Sequence, residues 1–587
     1  MPASAAISAT VTASNPRSAN RRRATSLTSR RVCSRRRARR SFISPPYACT
    51  ACTFGTLCIV VAMSSPPPVE THGGLRLLLI VMCTALALVI GAGSSLSLAL
   101  PDIAMDTGAT QTQLTWVINA YALVFAALLL PVGIAADRFG RRPALLLGLA
   151  LFAAASLASG LAKDPNALIA LRGLAGVGAA AVMPATLSVL VDAYPEDQRT
   201  RAVSVWAGVS GAGALVGLLV AGLLLDSFWW GSVQVVYGVA AGLVVLACAV
   251  VVPASRNPDL VLDLPGGLLS LGGLAGVVFA VIEGPERGWT STPVVVGAIA
   301  GGILLLLFVL RELRTPEPML DVRLFRSPLL TTGSLIVFLQ FFAAFGFFFL
   351  APQWLQYIHG VGALEAALWL LPLAAGIGPA SAAGPGLLAR YGSGPLASVG
   401  MTLIALAFGG FAVQAGGEQS LWVFAATLVL FGFGFGLAIT PGTTLIIGGL
   451  PSDRRTLSAA VNDVTREVGG ALGGAVAASV SLAIYAEDLI VGLTDSRVPP
   501  PAVATAEDGV AQALTISREL GPDGAKLATA ALDAFASGYG AALWVAASTL
   551  VIGAIVALVG SRSDVGDHAA SSVTATTGAD LVLEGQP

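Results

Sequence analysis

An all-α protein that crosses a lipid bilayer many times is the fold class this sequence predicts, on three observations. Of its 587 residues 55% are hydrophobic and only 11% are charged, against about 25% in soluble domains, and the mean hydropathy is +0.81. Apolar windows of the ~20 residues that a helix needs to cross hydrocarbon recur from residue 75 to residue 560, separated by short loops rich in Gly, Pro and charge. No alternating strands of roughly ten residues are in evidence, and every backbone amide in hydrocarbon needs an internal partner, so the spans must be helices.

Fourteen spans follow in order. The first, 76–100, closes at Pro101, and the second, 114–134, runs into a charged, glycine-bearing decapeptide, Gly133 to Arg142, before the third, 144–162. The fourth, 167–190, carries LRGLAGVGAAAVMPATLSVL with Arg172 inside it; the fifth, 203–225, carries Gly208, Gly211, Gly213, Gly217 and Gly222, small residues that permit close helix packing. The sixth is 233–253. DLPGGLLS opens the seventh, 265–283, and IEGPERGW separates it from the eighth, 294–311. PEPMLDVRLFR precedes the ninth, 329–351, and LQYIHGVGALEAALWLLP leads into the tenth, 364–389, which ends in PGLLARYGSG. The eleventh and twelfth, 395–414 and 421–447, precede the thirteenth, 458–485, which reads SAAVNDVTREVGGALGGAVAAS from Ser458. The fourteenth is 537–559, after a long loop at 486–536.

Net charge is zero, but its distribution is informative. With the first span entering from the cytoplasm, the short inner loops hold Arg138, Arg141, Arg142, Arg199, Arg201, Arg256, Arg311, Arg314, Arg323, Arg326, Arg390, Arg454 and Arg455, while the short outer loops hold Lys163 and Arg287. Because Lys and Arg set orientation, both termini are expected in the cytoplasm of a multi-pass cell-membrane protein, with the 486–536 loop outside.

Residues 1–72 form a separate basic extension, with eleven arginines before Ser41 and four of the six cysteines. A Cys49-x-x-Cys52 pair has no second pair at ligand spacing, which argues against a metal site. Met63, just before the first span, reads as the initiator, leaving the upstream segment a tail or a mistaken start. The remaining cysteines, Cys83 and Cys248, lie inside apolar spans and predict no disulfide framework. The tail 561–587 reads as disordered.

The decapeptide after the second span resembles the signature loop of the major facilitator superfamily, G-x-x-x-D-R-x-G-R-[RK], here Gly133, Asp137, Arg138, Gly140, Arg141 and Arg142. Gly133 permits close helix approach, Asp137 can receive a basic side chain or a helix N-terminus, and the arginines hold the loop at an anionic inner surface. In PGLLARYGSG, Arg390 and Gly392 fall in register with Arg138 and Gly140, with Ala389 in place of Asp137. IEGPERGW, VNDVTREVGGALG and the R-x-x-x-G frame at Arg172 extend the likeness to the fourteen-span drug exporters of that superfamily, over nearly all of residues 75–560. The resemblance implies two six-helix bundles, 73–253 and 328–560, with an inserted helix pair at 254–327, around a midplane cavity.

Charges among apolar residues are costly to insert and mark candidate functional positions. The resemblance implicates Arg172 in proton coupling; a clamp to a neighbouring helix is the alternative. Asp463, Arg466 and Glu467 stand at i, i+3 and i+4, so Asp463 can pair with Arg466 locally, and the set is expected to form a cytoplasmic gate with Asp137. Asp463 and Glu467 are the remaining proton carriers, because two features of the family are missing. Ala92 stands where the first span usually has an aspartate, and Leu218 where the fifth usually has a proline. Glu365 reads as a water-exposed helix end.

Candidate cavity residues are Asn119, Tyr121, Gln340, Phe341, Phe345 and Gln356, with Phe342, Phe347, Gln353 and Trp354 nearby. Against that, the phenylalanines of span nine could face lipid and Trp354 could sit in an interfacial belt. Uncharged aromatic walls suit amphipathic molecules, and without an acid at Ala92 neutral or weakly charged cargo is favoured over dications. No phosphate loop is present and the three histidines are scattered, so neither an enzyme nor an ATP-driven pump is expected, and no cofactor, metal or nucleic acid. The expected function is export of drug-like small molecules by a proton-linked monomer. An uncoupled metabolite exporter, or a membrane sensor of the same fold that moves nothing, are the alternatives.

Overall fold

The computed structural model describes residues 72–253, 263–316, 318–450, 458–494, 496 and 498–560. The expected extension up to residue 71, with Met63 and the Cys49/Cys52 pair, and the tail 561–587 lie outside them. Regular structure among the described residues is helical throughout: α1 His72–Ser95, α2 Leu100–Thr107, α3 Gln111–Phe139, α4 Arg141–Gly160, α5 Pro165–Ala193, α6 Glu196–Leu225, α7 Gly231–Val251, α8 Leu264–Arg287, α9 Thr292–Glu312, α10 Pro328–Tyr357, α11 Ala363–Trp369, α12 Pro372–Tyr391, α13 Ser393–Val413, α14 Leu421–Gly448, α15 Ser458–Gly492, α16 Pro500–Glu507, α17 Val510–Glu519 and α18 Pro522–Gly560, with two short 3-10 turns. Fourteen helical stretches among them are long and apolar enough to cross a membrane.

Local chemistry sets many of the helix ends. Thr110 and Gln113 form a reciprocal capping box at the start of α3. Asp164, Asp263, Ser327 and Ser420 each accept a backbone N–H at the start of α5, α8, α10 and α14. The α3–α4 and α12–α13 joints turn on one glycine each, Gly140 at φ +122° and Gly392 at φ +80°, conformations that side chains with a Cβ rarely adopt. These are the two glycines in register between the decapeptide and its echo.

Helix packing repeats in the same way. In the first half α3 and α4 pack on α5, α4 on α7 and α1 on α6; in the second, α12 and α13 pack on α14, α13 on α18 and α10 on α15. Where α1 meets α6, a Cβ on Gly217 would lie 2.4 Å from the carbonyl oxygen of Gly91, so glycine is what lets these helices meet. With Leu218 in place of proline, α6 runs unbroken to Leu225. Between the halves α3 packs on α15, and α8 lies against both. Its partner α9 covers α8 and exposes Val296, Ile299, Ile303 and Leu306, an apolar face suited to lipid.

Two expectations are corrected. The segment 486–536 is not an irregular loop: α15 continues to Gly492, α16 and α17 follow, and α18 begins at Pro522. Hydropathy marks the part of a helix that hydrocarbon requires, whereas Ala-rich turns such as Ala525–Ala536 remain helical beyond it, with Leu527, Ala531 and Ala534 buried. The tenth span is likewise two helices, α11 and α12, divided at Leu370 and Leu371 before Pro372.

Candidate functional site

Two ends of the bundle differ in how its halves are joined. The end reached by the first loop, residues 99–110, carries polar bonds between halves. Gln356 Nε2 donates to the Leu98 carbonyl at 3.0 Å, Gln111 Nε2 to Gln353 Oε1 at 3.4 Å, and the Gln111 N–H to the Asp508 carbonyl at 2.8 Å. Gln512 Nε2 donates to the Ala109 carbonyl, so α17 and the turn before it rest on the first-half connection.

At the opposite, junction end the decapeptide makes bonds inside its own half. Asp137 pairs with Arg141, one helical turn on and across the Gly140 hinge. Arg141 also reaches the Asp192 carboxylate and the Ser188 carbonyl, both on α5. Arg142 Nη2 donates to the Ala249 carbonyl on α7, and the Arg138 guanidinium lies 5.6 Å from the Phe139 ring centroid. Gly133 faces Pro184 of α5, 3.4 Å from where its Cβ would stand. The expected gate between Asp137 and the α15 charges is not assembled in this conformation: the ion partner of Asp137 is Arg141, because the Gly140 turn points the start of α4 back at the end of α3.

The α15 charges form their own triad. Arg466 Nη2 lies 3.2 Å from Glu467 Oε1 and 3.9 Å from Asp463 Oδ1, so the guanidinium favours Glu467 over the expected i, i+3 partner. Long side chains reorient more freely than helix spacing implies, and Arg466 also lies 5.5 Å from the Phe341 ring of α10, which sets its direction. Glu365 is exposed and accepts from Trp369 Nε1 at 3.3 Å.

Arg172 on α5 is buried differently. Its side chain is 0% exposed, Nε donates to the Val117 carbonyl at 3.1 Å, and the guanidinium stands 4.4 Å from the Tyr121 ring centroid. The Tyr121 hydroxyl donates to the Val89 carbonyl on α1 at 2.8 Å. Nη1 and Nη2 of Arg172 have no hydrogen-bond partner.

Among the cavity candidates, Asn119 is buried on α3, donates to the Thr115 carbonyl and faces Gly474 of α15. Gln340 donates to the Phe435 carbonyl at 2.8 Å and leaves its Oε1 without a partner. Phe341 lies tilted against Phe345 and edge-on against Phe435. Gln356 belongs to the first-loop end. The lipid-facing reading of Phe347 and the belt reading of Trp354 are overturned, while Phe341, Phe342 and Phe345 are half-buried. Phe347 is 1% exposed in a cluster with Phe408, Phe411, Phe424 and Phe431. Trp354 is equally buried, donating to the Ala415 carbonyl and stacking on Phe424 and Tyr539.

The family model described as Major Facilitator Superfamily matches residues 77–474. The chain belongs to the major facilitator superfamily. It is 30% identical to the methyl viologen resistance protein SmvA of Salmonella typhimurium, over 78% of this chain and 93% of that protein. It is 31% identical to the multidrug resistance protein Stp of Mycobacterium tuberculosis, over 69% and 75%, and 30% identical to the tetracenomycin C resistance and export protein of Streptomyces glaucescens, over 81% and 89%. In fold it is similar to a crystal structure of a bacterial homolog to the human lysosomal transporter Spinster, with a TM-score of 0.59 and 19% identity over 85% of this chain and 99% of that one.

Within this superfamily fold the chain is a multi-pass membrane transporter, and two of its buried polar sites escaped sequence reasoning. Glu283 on α8 accepts from Trp116 Nε1 of α3 at 2.7 Å and pairs with Arg287, so the inserted helix is fastened to the first half by a carboxylate. Tyr237 on α7, bonded to Ser95, is one of the two phenols that neighbour Arg172. An acidic residue inside the IEGPERGW turn was a usable signal for the first; nothing in the pattern around Tyr237 marked the second.

Proposed function

We propose that this transporter exports small amphipathic, drug-like molecules by alternating access, working as a monomer with the first-loop end outside and both termini in the cytoplasm. The observation that carries the reading is the asymmetry between the ends. Polar bonds cross between the halves at the first-loop end, while the ion pairs of Asp137, Arg141, Asp463, Arg466 and Glu467 at the junction side stay within one half. Such a bundle closes outward and can open inward to load cargo. The resistance and export proteins it resembles support the direction of transport, and the arginine-rich inner loops support the orientation.

In this reading Gly133, Asp137, Arg138, Gly140, Arg141 and Arg142 close the junction end against Arg466 once the first-loop end opens. Asn119, Tyr121, Gln340, Phe341, Phe345 and Gln356 contribute to the path of the cargo. Protons enter at Asp463 and Glu467, since a guanidinium such as Arg172 does not give up its proton. An uncoupled exporter is the second reading, favoured by Ala92 and Leu218. Nile red, a neutral amphipathic dye, separates the two in proteoliposomes. Accumulation that follows an imposed pH gradient is expected; movement that ignores the gradient establishes uncoupled transport, and absence of movement overturns export.

A further inference from the structure

Arg172 holds a permanent positive charge with no carboxylate against it among the described residues. It is fully buried, its two terminal nitrogens have no partner, and the ionisable groups that act on it are the phenols of Tyr121 and Tyr237, which are neutral. Glu467, the carboxylate of the other half that neighbours Tyr121, is occupied by Arg466 at 3.2 Å. Taking an ion out of water costs several kcal/mol. Stacking on Tyr121 and the single bond to the Val117 carbonyl offset part of that cost, but neither brings a negative charge to the guanidinium. Among the described residues no carboxylate stands at Nη1 or Nη2 to complete the pair.

The turn of α1 nearest the Tyr121 ring carries no charged side chain. The Tyr121 hydroxyl bonds to Val89, and a Cβ on Gly93 would lie 3.4 Å from the Tyr121 ring, so this stretch of α1 faces the ring on which the guanidinium stacks. Ala92, buried in the same turn of α1, brings a methyl group and no charge.

We propose that Arg172 is the receptor for an acidic group on the cargo, making the preferred substrates amphipathic organic anions, carboxylates first. The planar guanidinium fork matches a carboxylate at two points, and Nη1 and Nη2 are the atoms left free. Cargo thereby completes a charge pair that only the loaded transporter contains. The inference rests on the export reading and deepens it by naming the substrate class.

The test uses the full chain in detergent at neutral pH in dilute zwitterionic buffer free of added carboxylate, with pyrenebutyrate and pyrenebutanol as probes, which differ at one terminal group. Binding is read from pyrene fluorescence anisotropy. The acid is expected to bind about tenfold more tightly than the alcohol, a preference of about 1.4 kcal/mol. Arg172→Gln is expected to bring the two probes within about threefold, and Arg172→Lys to keep part of the preference. Ala92→Asp, which supplies an internal anion, is expected to abolish it with the arginine in place, so the inference stays testable if Arg172→Gln fails to fold. Equal binding of acid and alcohol by the natural chain, or a preference that survives Arg172→Gln or Ala92→Asp, overturns it. So does full displacement of pyrenebutyrate by ~100 mM chloride, a concentration at which exposed ion pairs are only partly screened, because the site would then belong to an inorganic anion. Nile red transport without any acid preference leaves the export reading standing and removes the role of Arg172. Arg172-dependent binding of pyrenebutyrate without flux of either compound does the reverse.

Discussion

Arg172 in the first half and Arg466 in the second are both guanidiniums drawn away from bulk water, yet their surroundings are opposite. Arg466 has a carboxylate at 3.2 Å and another at 3.9 Å, whereas the terminal nitrogens of Arg172 meet no acceptor. Arg466 is therefore set between two acids, whereas Arg172, among the described residues, is set against none. The lesson is that two arginines withdrawn from water in similar bundles meet opposite partners: one is held by carboxylates, the other by a carbonyl and an aromatic ring.

Substitutions that exchange these two situations probe the comparison, the largest effect first. Arg466→Gln strands Asp463 and Glu467 together, and removing one partner of a buried ion set costs about 3 to 5 kcal/mol. A loss near the lower figure is expected in chemical unfolding of the purified protein, since the triad is not fully enclosed. The Asp463→Asn, Glu467→Gln double variant turns the second half into a copy of the first, with an unbalanced arginine. Its expected phenotype is loss of gradient-driven Nile red accumulation, with a stability cost of roughly 2 to 3 kcal/mol. Unchanged transport across a pH gradient would remove both residues as proton carriers.

Arg172→Gln is the counterpart and should behave differently. It strands no anion, and the lost Tyr121 and Val117 contacts are offset by relief of a desolvated charge, so a change within about 1 kcal/mol is expected. A destabilisation as large as that of Arg466→Gln would show that the two arginines have equivalent partners and break the comparison.

The smallest effect lies at the first-loop end. Burial, with Glu286 and Glu507 nearby, raises the Asp508 carboxyl above the ordinary carboxylate range. A carboxyl whose folded value is raised holds its proton more tightly in the docked state, so docking is strongest below the unfolded value and weakens as pH rises through the raised one. Protection factors from hydrogen exchange across residues 500–519, with the intrinsic pH dependence of amide exchange divided out, should thus be higher at mildly acidic than at neutral pH, and Asp508→Asn should flatten the difference.

The class of protein was readable because each span states its case locally. Twenty apolar residues require a helix whatever lies elsewhere in the chain, and Gly140 and Gly392 showed the joint between helices in the same way. Side-chain partners were not readable on those terms. Trp354 looked interfacial and is enclosed; Phe347 looked lipid-facing and lies at the centre of an aromatic cluster. In spans that are apolar on every side, no periodicity separates the face that meets lipid from the face that meets protein.

By itself, then, the sequence determined the number of crossings, their helical form, the glycine hinges and which charges are too costly to be incidental. Tertiary structure alone decided that Asp137 answers to Arg141, that Arg466 takes Glu467, and that residues 486–536 fold into helices seated on the first-half connection. Backbone hydrogen bonding within a helix is satisfied by neighbours four residues away, so it can be inferred from a short stretch. A guanidinium finds its anion, or finds none, across helices that are distant along the chain, and that outcome exists only once the helices have packed.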